Sequence, residues 1–144
     1  MKYSPGDIVE IETGKGLAYV QVTHNHSSYP EVVRALRGTH ASRPDDLQAL
    51  ARSQTDFSAM IALASAVEAG RITGSRIGSA AIPEEDAKFP TFRMPIRDKQ
   101  GGIAYWWLWD GQGLSYETEL TPEAEQFPMR EVMAAETLLR RLAR

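Results

Sequence analysis

The segment Tyr105-Trp106-Trp107-Leu108-Trp109 holds all three tryptophans of the chain within four residues. It lies between two glycine-bearing turn segments, residues 98–102 and 110–113. An aromatic run bounded by such turns reads as a β-strand. Alternation along it sends Tyr105, Trp107 and Trp109 to one face, and Ala104, Trp106 and Leu108 to the other. Bulk on both faces predicts a strand buried on both sides, covered by the C-terminal helix and filling a core. The competing reading leaves one aromatic face open as a binding anchor, because Trp and Tyr dominate interface hot spots.

The rest of the chain supplies more short strands. Residues 7–12 carry the β-formers Ile8, Val9 and Ile11 after a Pro5-Gly6 turn. Gly14-Lys15-Gly16 reads as a hairpin connection. In residues 17–23, Tyr19/Gln21/Thr23 alternate with Ala18/Val20/Val22, which predicts one core face and one at least partly wet face. A third strand is expected over 31–36. Ser42-Arg43-Pro44-Asp45-Asp46 then predicts a short helix over 44–53. Residues 57–63 fit either a buried strand or the start of a helix running to Ala69. Residues 71–77 read as a strand and 81–90 as a proline-flanked loop. Strands over 91–97, 103–109 and 114–120 follow. Thr121-Pro122-Glu123 predicts a helix start, and a second helix is expected from Pro128 to the C-terminus, with Val132, Ala135, Leu139 and Leu142 forming its apolar stripe.

The expected fold class is therefore α+β. A mostly antiparallel sheet or small curled barrel carries a short middle helix and a docked C-terminal helix. A length of 144 residues suits a single domain, 1–144.

Composition narrows the function classes. The hydrophobic fraction of 42% and charged fraction of 24% match ordinary globular domains and argue against disorder. No apolar run approaches the ~20 residues of a membrane helix. Residues 1–7 contain no apolar core of a secretory signal. The chain has no cysteine, so disulfides and thiolate chemistry are excluded, which agrees with a cytoplasmic location. Residues 1–80 balance eight basic against eight acidic residues, whereas 81–144 carry eight against eleven. Asp110, Glu117, Glu119, Glu123 and Glu125 fall in a stretch without Lys or Arg. Such a segment repels phosphate backbones and disfavours nucleic acid as a partner, while attracting basic proteins. Its ordinary role is a solvated surface.

Catalytic signatures are missing. His24 and His26, two apart on a strand, share a face, but a metal site needs a third ligand and His40 is distant in sequence. No metal and no cofactor are expected. There is no nucleophile elbow, since Gly74-Ser75-Arg76-Ile77-Gly78 has the wrong frame, and no phosphate-binding glycine loop. Glu84-Glu85-Asp86 lies in a loop, where burial cannot raise carboxyl pKa values for acid–base work. Gly6-Asp7-Ile8-Val9-Glu10-Ile11 alone suggests an SH3-like nucleic-acid module, without the basic groove it needs.

Several segments together resemble the immunity protein 26 group of bacterial polymorphic-toxin systems. These are residues 2–11 (Lys-Tyr-Ser-Pro-Gly-Asp-Ile-Val-Glu-Ile) and 16–22, Pro90-Thr91-Phe92-Arg93, the Trp strand before Asp110-Gly111, and Leu120-Thr121-Pro122-Glu123 with Pro128 and a terminal helix. Residues 24–29 and 39–55 depart from that pattern. The resemblance implies a cytoplasmic, β-rich protein that neutralises a cognate toxin by binding it, and it carries over no catalytic residues. On this reading the chain is not an enzyme and its partner is a protein such as a toxin domain. Trp107 and Trp109 serve as anchors and Glu117 and Glu119 as charge complementarity, with His24, His26 and Tyr29 as a second patch. The alternative is a small barrel-like enzyme or small-molecule-binding domain with a site near His24 and His26.

Overall fold

The computed structural model describes residues 2–144, and the fold is α+β. Where the sequence suggests one domain, the chain divides into two compact units. One is the chain up to Lys88 together with Val132–Arg144; the other is Phe89–Glu131.

The first unit is an open antiparallel sheet of five strands: β1 (Asp7–Thr13), β2 (Gly16–His24), β3 (Val32–Leu36), β4 (Thr55–Met60) and β5 (Gly74–Ser79), in the order β4-β3-β2-β1-β5. β4 and β5 are the two edges, so the sheet does not close into a barrel. The β1–β2 hairpin turns where expected, pairing Thr13 with Gly16. Gly16 has φ +125°, and a Cβ there would meet the His40 carbonyl at 2.9 Å, so this position needs glycine.

Three helices cover the sheet: α1 (Leu47–Ala51), α2 (Leu63–Glu68) and α3 (Ala135–Leu142). One sheet face, with Val9, Ile11, Val20, Val22 and Val33, packs on α2 and α3 through Leu63, Leu138 and Leu142. Each such buried aliphatic side chain contributes about 1.5–3 kcal/mol. The other face, with Ile8, Tyr19 and Leu36, packs on Leu50 and Ala51 of α1. Tyr19, Gln21 and Thr23 are consequently buried, where alternation predicted a partly wet face.

Several element boundaries differ from the sequence reading, each for a local reason. α1 starts later because Asp46, not Ser42, is its cap, accepting from the Gln48 and Ala49 N–H groups at 3.0 and 3.1 Å. Residues 57–63 are both things that the sequence allowed: β4 runs to Met60 and α2 begins at Leu63. α2 has no side-chain cap of its own. The buried Glu31 supplies one, accepting from Ala64 N–H at 3.0 Å. The helix expected from Pro128 begins only at Ala135. Residues 129–133 spend their backbone groups on sheet edges instead: Arg130 N–H donates to Arg93 C=O and Met133 N–H to Met60 C=O, both at 2.7 Å. Val132 lies outside α3 and is 56% exposed, so it leaves the predicted stripe. The helix start at Thr121 yields a single 3-10 turn, Ala124–Gln126, with Thr121 Oγ1 accepting from Ala124 N–H at 3.1 Å. Pro128 holds Phe127 extended and ends it there.

The second unit is a three-stranded antiparallel sheet of β6 (Phe92–Arg97), β7 (Ile103–Trp109) and β8 (Leu114–Glu117), in sequence order. The strands thus form two sheets, one in each unit, and the C-terminal helix belongs to the first unit.

Candidate interaction surface

Two short turns set the register of the second sheet. In the first, Asp98 Oδ1 accepts from the N–H groups of Gln100 and Gly102, both at 2.9 Å. In the second, Asp110 Oδ1 accepts from Gln112 and Gly113 at 3.0 and 2.9 Å. Gly111 has φ +93°, and a Cβ would stand 2.8 Å from the Phe89 ring. These turns pair Met94 with Trp107 and Trp107 with Tyr116, then Phe92 with Trp109 and Trp109 with Leu114. Directly paired residues share a face. One face therefore carries Phe92, Met94 and Ile96, then Tyr105, Trp107 and Trp109, then Leu114 and Tyr116.

That face is closed around Phe92 and Trp109 and open along β8. At one end Phe92 is buried and Trp109 is 6% exposed. Phe89 sets its ring edge-on to Trp109 at 5.4 Å, and the Arg130 guanidinium stacks on Trp109 at 5.0 Å. At the other end Tyr105, Trp107 and Tyr116 form a triangle with centroid separations of 6.1, 5.9 and 6.1 Å and edge-to-face angles near 70°. Such geometry favours aromatic pairs beyond their burial and holds the rings in fixed orientations. Tyr105 and Trp107 are half-buried, Tyr116 is 63% exposed and Leu114 54%.

The residues singled out in the sequence do not gather at one place. Trp107 is one corner of the aromatic triangle. Trp109 lies inside the packed end of the same face and cannot serve as an exposed anchor. Glu117 pairs with Trp106, so it lies on the reverse face. Glu119 is beside it there, lining a shallow depression with Arg93, Trp106 and Leu120. The Arg93 guanidinium stacks on Trp106 at 5.2 Å. The acidic and aromatic features thus occupy opposite faces and meet at β8. Tyr105 stands on the aromatic face that the alternation predicts, whereas Tyr116 is absent from the sequence reading. The signal for Tyr116 is the four-residue turn 110–113, which sets it opposite Trp107.

His24, His26 and Tyr29 lie in the first unit. β2 ends at His24 and His26 follows in a polar loop at the strand end, so the pair shares no strand face. His24 Nε2 contacts the Ala87 carbonyl at 2.8 Å and Nδ1 the Thr23 hydroxyl at 3.0 Å. His26 Nδ1 accepts from Ser28 N–H at 3.0 Å, and its ring meets Tyr29 edge-on at 5.2 Å. Lys2 Nζ donates to the His26 and Tyr29 carbonyls at 2.8 and 2.6 Å, fixing this loop. Among the described residues no three His, Asp or Glu side chains are placed to hold a metal ion. No helix among them is long and apolar enough to cross a membrane.

The most elaborate polar cluster is buried instead. Arg34 on β3 donates to Gln21 Oε1 at 2.9 Å, Ser53 C=O at 3.1 Å, Thr55 Oγ1 at 3.0 Å and Ala51 C=O. Asp86 Oδ2 lies 3.9 Å from Arg34, and Asp86 Oδ1 accepts from Thr55 at 3.0 Å. Burial pushes the guanidinium pKa down, with Asp86 and Glu85 opposing. Its partners are structural: the C-terminal carbonyls of α1 and the start of β4. Compared with known families, curated proteins and solved structures, the chain matches none.

Proposed function

We propose that this chain is a non-enzymatic binding protein of the immunity type, neutralising a cognate toxin domain in the cytoplasm by covering it. The observation that carries this reading is the half-open triangle of Tyr105, Trp107 and Tyr116. Amphipathic rings prearranged at a sheet surface lose little conformational entropy on binding and supply large contact area. Acidic residues near the same strand favour encounter with a basic partner. The family resemblance of the sequence supplies the class of partner.

On this reading a toxin gene lies next to the gene of this chain, and the test is co-expression of the two. The wild-type chain restores growth of the poisoned host. The double variant Trp107→Ala, Tyr116→Ala removes two anchors, weakens the complex by about a hundredfold or more and loses protection. Full protection by that folded double variant contradicts the reading.

A further inference from the structure

We propose that β8 is a docking edge, accepting an extended segment of the protein partner as a fourth strand, in which apolar residues alternate with lysine or arginine. The inference rests on the binding reading and specifies what the partner presents.

β8 is the outermost strand of its sheet, and all four of its residues are exposed. In an antiparallel pair, alternate residues turn their N–H and C=O groups away from the neighbouring strand. β8 therefore offers an open row of backbone donors and acceptors.

The other edges are blunted. β6 carries Pro95 in its middle, and the segment 128–130 closes its outer side: Arg93 N–H donates to Pro128 C=O at 2.9 Å, and Arg130 N–H to Arg93 C=O at 2.7 Å. β4 is capped at Met60 by the Val132–Met133 segment. The pairing of β5 to β1 is bulged, and β5 holds glycines and the charged Arg76. Proline, charge, bulges and covering segments are the usual defences against unwanted strand pairing. β8, Leu-Ser-Tyr-Glu, has no proline, no lysine and no bulge against β7. β8 keeps only its short length and the single charge of Glu117 as guards, and among the described residues no backbone hydrogen bond from outside its sheet reaches it.

Side chains select the occupant. Leu114 and Tyr116 extend the aromatic face, so an added strand meets apolar surface on that side. Ser115 and Glu117 point to the other side, next to Glu119. Glu117, Glu119, Glu123 and Glu125 form no salt bridge among the described residues. An incoming strand thus needs apolar residues on one face and cations on the other. A second copy of this chain fits poorly, because its own acidic stretch would face this one.

The experiment uses the full-length chain, isotope-labelled for NMR, and a seven-residue capped peptide alternating lysine and valine. Titration is expected to shift the backbone amides of residues 114–117 and to slow their hydrogen exchange. A matching Glu–Val peptide leaves them unmoved, and Glu117→Lys reverses the preference between the two. Of two Lys–Val peptides, N-methylated at every lysine or at every valine, one binds about tenfold weaker or worse, since one backbone edge is blocked. Shifts mapping elsewhere, equal binding of the acidic peptide, or full binding by both N-methylated peptides overturns the proposal. So does concentration-dependent protection of 114–117 without peptide, which assigns the edge to self-pairing. Peptide capture at 114–117 alongside failed growth protection leaves the edge standing and removes the toxin reading; the reverse pair of results does the opposite.

Discussion

Tyr19 shows how one residue couples a buried face to the surface. Its ring is buried on the α1 side of the sheet, edge-on to His40 at 5.4 Å, while its hydroxyl donates to Glu10 Oε2 at 2.8 Å. Arg43 donates to both oxygens of the same carboxylate, at 2.8 and 3.1 Å. The Arg43 hydrogen bonds hold the Glu10 carboxyl below its ordinary value, against the opposing effect of burial. Burial and the Glu10 hydrogen bond push the Tyr19 phenol up, so it stays a neutral donor. A carboxyl lowered by folding stabilises fully above its unfolded value of about 4.3 and loses that contribution as pH falls through the folded value. Tyr19→Phe is therefore expected to cost about 1 kcal/mol at pH 7, and the gap to wild type narrows below about pH 4 as Glu10 protonates. Urea unfolding of both proteins from pH 3 to 7 measures it. A gap constant with pH contradicts the assignment.

Among the elements, Arg34 is the tie that holds α1, β4 and the loop at Asp86 together. Arg34→Ala strands Gln21, Thr55 and two backbone carbonyls in the interior, and is expected to destabilise by about 3–5 kcal/mol in chemical unfolding. Arg34→Lys recovers only part, because a single ammonium cannot reproduce the fork that reaches all four partners. Arg34 stands in the strand 31–36 expected from the sequence, but nothing local marks its role, because its partners lie 13 to 52 positions away along the chain. That contrast explains what could be read in advance. Hairpins closed by local turn chemistry, such as β1–β2 and the β6–β7–β8 meander, were legible because their hydrogen bonds form within a few residues. α3 was misjudged because its apolar spacing continues through Val132 and Met133, whose backbone is claimed by the β4 edge. The aromatic strand was legible as a strand. Its burial was not, because which end of a face stays open depends on Phe89 and Arg130, from outside the strand.

For the whole molecule, the division into two units separates two tasks. The unit built on the five-stranded sheet has both sheet faces covered by helices, and its histidines are engaged: His24 with the Ala87 carbonyl, His26 with Ser28 and Tyr29, and His40 with Tyr19. The unit of residues 89–131 invests its largest side chains in a sheet with a half-open aromatic face, an acidic reverse side and an unguarded edge. Binding, on this account, belongs to the second unit. A hydrogen-exchange footprint of the full chain, alone and with the proposed partner domain, tests that claim most directly. Slowed exchange concentrated in residues 103–117, with the amides of β1 to β5 unchanged, is the predicted result. Slowed exchange confined to the loop of His24, His26 and Tyr29, with residues 103–117 unaffected, contradicts it.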